Sequence, residues 1–241
     1  MDSRKITVVG AGYVGMSLAA ILSQNNQVII LDINSENIEN INNNICPVKD
    51  NSIKSFMEQN DLNLNATLQK DKAFSKAEFI IIAVPTDYDI SSSSFNTSHV
   101  DNVIADAIHY NDDALIIIKS TIPIDYSSSM QKKYKTNRII FSPEFLREGS
   151  ALTDNLYPSR IIIGSKIEQA KEFAKLLQHA AIKENIDVLY TGPNEAESIK
   201  LFANTFLAMR VAFFNELDTF SFSNKLNTHE IIEGVSLDSR I

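Results

Sequence analysis

Three of the chain's seven glycines, Gly10, Gly12 and Gly15, stand within six residues of one another. They follow the apolar run ITVV and lead into YVGMSLAAILSQ, where apolar residues recur at helical spacing. A strand, a Gly-x-Gly-x-x-Gly turn and a helix, in that order, suit a dinucleotide. The first glycine permits a tight turn, the second lets backbone approach a pyrophosphate, and the third lets helix pack closely on strand. The helix start, with Tyr13 and Val14, then offers N–H groups and a partial positive charge to the phosphates. Asp32 ends the next apolar run, QVIILD, twenty residues after Gly12. A carboxylate there would accept hydrogen bonds from the adenosine ribose and repel a 2′-phosphate, which favours NAD over NADP. The competing reading is a glycine turn without a ligand and an Asp32 that caps a helix.

Three more apolar runs end in polar residues. AVPT carries Pro85 and Thr86, KST carries Lys119, Ser120 and Thr121, and SPEFLRE carries Glu144, Arg147 and Glu148. Ligands of open parallel sheets lie beyond the carboxyl ends of the strands, so all three are candidate contacts. Ser, Thr and Pro also simply punctuate strand ends. SPEFLREGSA sets Phe145 and Leu146 between two carboxylates in a stretch that reads neither as strand nor as helix. Farther on, Lys200 and Asn204 are four apart and share one helix face, among Leu201, Phe202, Phe206 and Leu207. Lys200 either pairs with Glu197 or offers its charge to a developing oxyanion, and spacing leaves both open.

What must position these groups is a sheet. ITVVG, QVIILD, EFIIIAVPT, ALIIIKST, RIIFSPE, RIIIGS and DVLYTG are nearly continuous in apolar residues, as strands buried on both faces are. One weaker strand is expected in 62–68. Helical spacing recurs between the runs in SENIENINN, SHVDNVIADAIHY and IEQAKEFAKLLQHA. The alternation predicts an α/β, Rossmann-like, doubly wound parallel sheet. The polar runs at 42–44 and 91–94 read as loops. From Pro193 to about Lys225 there is neither strand nor breaker, so one long helix is expected, with Pro193 in its first turn. Asn227 or Thr228 caps a second helix, and Gly234 ends it. The domains expected are 1–192, binding a dinucleotide, and 193–241, the start of a central helical and dimerisation domain.

The formal net charge of −8 and the lack of a Lys/Arg cluster argue against nucleic acid. No apolar run reaches the roughly 18 residues of a membrane span. MDSRKITVVG lacks the apolar core and cleavage site of a signal peptide. The single cysteine, Cys46, cannot form an internal disulfide and suits a reducing cytoplasm. No metal site is expected.

VVGAGYVG, the Asp32 strand end, AVPT, IIKSTIP, FSPEFLREGSA, NLYPSRIIIG and EAESIKLFANTFLAMRVAFFNELD occur in this order. Together they resemble the nucleotide-sugar dehydrogenases over essentially the whole chain. The resemblance implies oxidation of a sugar C6 alcohol, UDP-glucose to UDP-glucuronate being favoured, by two hydride transfers to NAD through a cysteine thioester. It places Gly10, Gly12, Tyr13, Val14, Gly15, Asp32, Pro85, Thr86, Ser120, Thr121 and Glu148 at the cofactor. Glu144 matches a general base for thioester hydrolysis, and Thr121 matches a residue that helps hold a water at the reacting carbon. Phe145, Leu146 and Arg147 match the substrate channel, Lys200 and Asn204 the pair that stabilises the oxyanion. Arg240 matches an arginine that reaches the substrate of a second subunit, so a homodimer through the long helix is implied.

In that family the nucleophile belongs to a G-x-C-x-P-K-D motif beyond the position matching Ile241. The chain is therefore expected to be an N-terminal piece that binds NAD, lacks the thiol and the UDP-binding domain, and is not fully active. Cys46 is expected to be a small, half-buried side chain. Two alternatives stay open: a stand-alone NAD-binding or interaction module, and a dehydrogenase of another nucleotide sugar, a hydroxy acid or an acyl-CoA.

Overall fold

The computed structural model describes residues 2–241 except Ile90, Ser91, Ser92, Ser93, Glu148 and Arg240. Two compact units emerge, Met1–Ser198 and Ile199–Ile241.

The first unit begins with β1 (Lys5–Val9), α1 (Tyr13–Leu22), β2 (Gln27–Leu31), α2 (Ser35–Asn42), α3 (Asn51–Gln59) and β3 (Leu64–Thr67). It continues with α4 (Lys70–Phe74), β4 (Phe79–Ile82), the short strands β5 (Tyr88–Asp89) and β6 (Ser94–Phe95), and α5 (Ser98–Tyr110). Then come β7 (Leu115–Ile118), α6 (Tyr126–Tyr134), β8 (Ile139–Phe141), α7 (Ala151–Leu156), β9 (Ile161–Ile163), α8 (Glu168–Ala180) and β10 (Val188–Tyr190). Helix α9 spans Pro193–Ser223 and α10 spans Thr228–Ser236.

Six parallel strands form the main sheet in the order β3-β2-β1-β4-β7-β8. The chain winds outward from β1 to β3, returns to β4 beside β1, and winds out the other way. That reversal leaves a crevice above the carboxyl ends of β1 and β4. All four residues of β4 and of β7 are buried, because helices cover both faces. Each buried isoleucine there contributes roughly 1.5–3 kcal/mol.

Strands β9 and β10 pair parallel as a separate ribbon. The Gly164 N–H donates to the Phe141 carbonyl at 2.8 Å, which ties the end of β9 to β8. The expectation of burial on both faces fails at β10, an edge strand whose Leu189 is exposed. The expected strand in 62–68 is β3. The polar run at 42–44 is not all loop: Asn42 closes α2, and its side chain bonds the Ala66 carbonyl at 3.0 Å and N–H at 2.8 Å. Of 91–94, Ser91, Ser92 and Ser93 lie outside the described residues, and Ser94 belongs to β6.

Helix α9 has the length expected of it. Asn227 caps α10, its Oδ1 accepting the His229 N–H at 3.1 Å. Gly234 does not end that helix, which runs on to Ser236. A glycine stops a helix by turning left-handed, and Gly234 has no positive φ. In the second unit the Arg210 guanidinium donates to the Ile241 carbonyl.

Glu197 is fully buried near the start of α9. Helix α6 opens on Asp125, left-handed at φ 70° and without a side-chain cap of its own. Glu197 takes over that role, accepting the Asp125 N–H at 2.7 Å and the Ser127 N–H at 2.8 Å. Burial pushes its carboxyl pKa above the ordinary 4.5, outweighing the two N–H donors. A raised folded pKa contributes stability below pH 4.5 that is lost as pH rises through the folded value. Wild type should therefore lose stability relative to Glu197→Gln as pH climbs through that window. Urea midpoints at several pH values check this, and a constant difference would contradict it.

Candidate functional site

The glycine turn is built by crowding. Gly10 has φ +103°, a region that other residues avoid, and a Cβ there would stand 2.5 Å from the Ala83 carbonyl oxygen on the neighbouring strand exit. A Cβ on Gly15 would overlap the Gly10 carbonyl. Gly12 differs: it is exposed, and a Cβ on it would meet nothing within 4 Å. Nothing in the fold demands glycine there, so the open space above it is what a ligand would fill. Helix α1 starts at this point with no side-chain cap and no acid in its first turn, leaving its N–H groups and dipole to an anion.

Asp32 directly follows β2. Its Oδ2 accepts the Ala11 N–H at 2.6 Å and its Oδ1 accepts the Asn34 N–H at 2.8 Å. The helix cap of α2 is Asn34, whose Oδ1 accepts the Glu36 N–H at 2.9 Å, and not Asp32. Two fixed donors orient the Asp32 carboxylate and leave it lone pairs for a ligand hydroxyl.

The exits of β4, β7 and β8 are laced together. Lys119 N–H and Ser120 N–H both donate to the Ile82 carbonyl, at 2.8 and 3.2 Å. Ser120 Oγ donates to the Val84 carbonyl at 2.6 Å. Lys119, 7% exposed, reaches Ser142 Oγ at 3.1 Å and lies 5.9 Å from the centre of the Phe173 ring. Beyond Ser142 the arm 143–147 leaves the sheet. Glu144 Oε2 accepts the Leu146 N–H at 2.7 Å. Arg147 pairs with Asp154 at 2.7 Å, and this hydrogen bond holds the Asp154 carboxyl below its ordinary 3.8. On the other side Arg160 lies 3.8 Å from the centre of the Phe145 ring. Helix α7 is tied to α1 by Asn155, which donates to Ser17 Oγ at 2.8 Å, and Ser17 donates to the Val14 carbonyl at 3.0 Å.

Three clefts result. One of about 360 Å³ is lined by Gly12, Tyr13, Val14, Pro85, Thr86, Ser120, Thr121, Glu144, Leu146 and Arg147, with Ala83, Val84, Lys119 and Ala151. It brings ten of the expected residues to one wall-to-wall site. A second, of about 560 Å³, opens beside it over Gly10 and Asp32 and shares Val84 and Pro85. The third, about 290 Å³, lies along the arm and holds Phe145. Gly15 is buried inside α1, supporting the turn from below. Lys200 and Asn204 lie one turn apart on α9, the lysine buried and the asparagine exposed. Glu197, the alternative partner of Lys200, accepts one backbone N–H on each oxygen, and a carboxylate has lone pairs beyond these two. Glu148 and Arg240 lie outside the described residues.

Lys119, named in the sequence only as part of a strand end and given no role, lines two clefts. Sequence reasoning missed the far wall of the Asp32 cleft, where α4 supplies Lys70 and Phe74 and α5 supplies His99, Asn102, Val103 and Asp106. The α5 residues follow helical spacing, but on the flank beside the buried Val100, Ile104 and Ala107, and no motif marks them. Cys46 lines none of these clefts. It is half-buried between α2 and α3, and burial pushes its thiol pKa up, which disfavours the nucleophilic thiolate.

The two glycines give separable outcomes. Gly12→Ala should cost no more than about 1 kcal/mol of stability yet weaken NADH binding at least tenfold. Gly15→Ala should cost about 3 kcal/mol through overpacking. Denaturant titration and NADH fluorescence together check both.

Residues 4–182 match the family model for the NAD binding domain of the UDP-glucose/GDP-mannose dehydrogenases, and 194–241 match that family's central domain. UDP-glucose 6-dehydrogenase of Campylobacter jejuni is 47% identical over 239 residues, which are 98% of this chain and 61% of that protein. The protein of the same name from Streptococcus pneumoniae is 46% identical over 243 residues, with 98% and 62% covered. This chain thus spans about six tenths of the length of these curated relatives. Among solved structures, a UDP-glucose dehydrogenase from Pyrobaculum islandicum superposes with a TM-score of 0.86 at 25% identity, over 99% of this chain and 58% of that one.

Proposed function

Because the chain belongs to the UDP-glucose/GDP-mannose dehydrogenase family, we propose that it binds NAD and contributes the cofactor half of a nucleotide-sugar dehydrogenase acting on UDP-glucose. The observation that carries this reading is the cleft that joins the open space above Gly12 to Thr86, Thr121 and Glu144 at three strand exits.

In this reading the first turn of α1 receives the diphosphate, and Asp32 accepts the adenosine ribose hydroxyls. Pro85, Thr86, Ser120 and Thr121 line the nicotinamide end. Bound NAD supplies a hydride acceptor. The chain's own groups hold the sugar and move its protons. Glu144, with one oxygen steadied by Leu146 N–H, acts as general base, and Thr121 holds a water or hydroxyl. The arm 143–147, fixed at Phe145 and Arg147, presents backbone to the substrate. Lys200 and Asn204 are assigned the developing oxyanion on the family motif alone. The thiol of a thioester step would not be Cys46.

Exposed Phe202, Phe206, Met209, Phe213 and Phe220 on α9 favour burial against a second copy, since apolar surface of this extent seeks cover. We assign the homodimer to that helix, and sedimentation at rising concentration tests it. The single cysteine and the absence, among the described residues, of a helix able to cross a membrane favour the cytoplasm.

NADH titrated into the chain should bind, and Asp32→Ala should weaken it about tenfold, a loss of about 1.4 kcal/mol. Folded protein that takes up no NADH would refute the proposal. UDP-glucose, GDP-mannose and UDP-N-acetylmannosamine compared as substrates of the protein that carries this chain identify the sugar, and UDP-glucose should give the fastest NADH formation.

A further inference from the structure

The Asp32 cleft has a second charged feature that the glycine turn does not explain. Lys70, at the start of α4, pairs with Asp106 on α5 at 2.7 Å, and both line the cleft together with Asp32. Among the described residues that line it, Lys70 is the one lysine or arginine. Its side chain is 52% exposed and that of Asp106 28%, so the ammonium lies at the rim, within reach of water and of a ligand. The pair cancels its own charge and leaves Asp32 to set the sign of the cleft.

A dinucleotide whose adenosine ribose lies at Asp32 presents either a 2′-hydroxyl or a 2′-phosphate to this space. A hydroxyl suits the carboxylate. A 2′-phosphate needs a cation that can be spared, because it must offset both its own desolvation and its repulsion by Asp32. We propose that Asp106 is a specificity-determining residue: by holding Lys70 in an ion pair, it withholds the cleft's cation from a 2′-phosphate and keeps the site selective for NAD over NADP. The proposal rests on the NAD reading of the glycine turn. It adds a second, independent barrier to the one that Asp32 provides.

The mechanism has a definite signature. Asp106→Asn keeps the shape of the side chain and frees the ammonium. Lys70→Ala leaves Asp106 unpaired and makes the cleft more negative. If the pair acts through charge, the two changes move selectivity in opposite directions, and the double change cancels the gain. A loosening of α4 against α5 would instead alter both cofactors alike. The effect of the released ammonium should also be screened by salt, since the rim is exposed.

The test is direct titration of the chain with NADH and NADPH by fluorescence, read as the ratio of the two affinities. Asp106→Asn should raise the NADPH-to-NADH affinity ratio about fivefold at low salt, and the gain should shrink in high salt. Lys70→Ala should lower the ratio below that of wild type. Lys70→Ala/Asp106→Asn should lose the gain. An unchanged ratio in Asp106→Asn, or a gain that survives in the double variant, overturns the proposal. If Asp106→Asn fails to fold by circular dichroism, Lys70→Ala decides alone: an unchanged or raised ratio overturns the proposal. Failure of wild type to bind NADH at all would instead remove the NAD reading on which the proposal stands.

Discussion

Asp32 holds two chain segments with one side group. Its Oδ2 takes the Ala11 N–H and its Oδ1 the Asn34 N–H, so the exit of β1 and the exit of β2 are fixed to each other. Hydrogen bonds to an ionised acceptor are among the stronger ones a fold can use. Gly10, at positive φ and with no room for a Cβ beside Ala83, stands immediately before the first of these donors. The direction in which α1 leaves the sheet, and hence where its N–H groups point, follows from this junction. The wider cleft is its result, because Gly10 and Asp32 are its floor.

On the other side of the crevice the work is done by a buried cation. Lys119 would be costly to bury alone. It is held between Ser142 and the face of Phe173, and its backbone N–H shares the Ile82 carbonyl with Ser120. Three strand exits thereby end at one level. Thr86, Thr121 and Glu144, far apart in sequence, face one cleft because their strands are laced just beneath them.

The strands of this fold were legible because Ile and Val runs have no alternative use in a chain with so few breakers. Helices α1, α2, α5 and α8 announced themselves by period. Helices α4 and α7, five and six residues long, are too short to show one. Helix α6 reads as YSSSMQKKY and opens on a left-handed Asp125, and its N-terminal N–H groups are capped by Glu197, some seventy residues away. Helix α3 had a sound cap in Asp50, which accepts the Ser52 and Ile53 N–H groups at 2.9 and 3.2 Å, yet its apolar residues are too sparse to flag it. Gly234 shows the limit of residue-type rules: a glycine ends a helix only if the chain turns there. The strand-exit residues were found because the fold rule names that edge of the sheet. The α4–α5 wall was not, because its residues meet Asp32 only after two crossovers have been made.

Asn155 and Asp154 are adjacent on α7 and reach in different directions. Asp154 grips Arg147 of the arm, and Asn155 grips Ser17 in the helix that begins at the glycine turn. Ser17 is itself fully buried and bonded to the Val14 carbonyl. Shifting the arm without shifting α1 means breaking one of these contacts, so α7 serves as a crossbar between the two banks of the crevice.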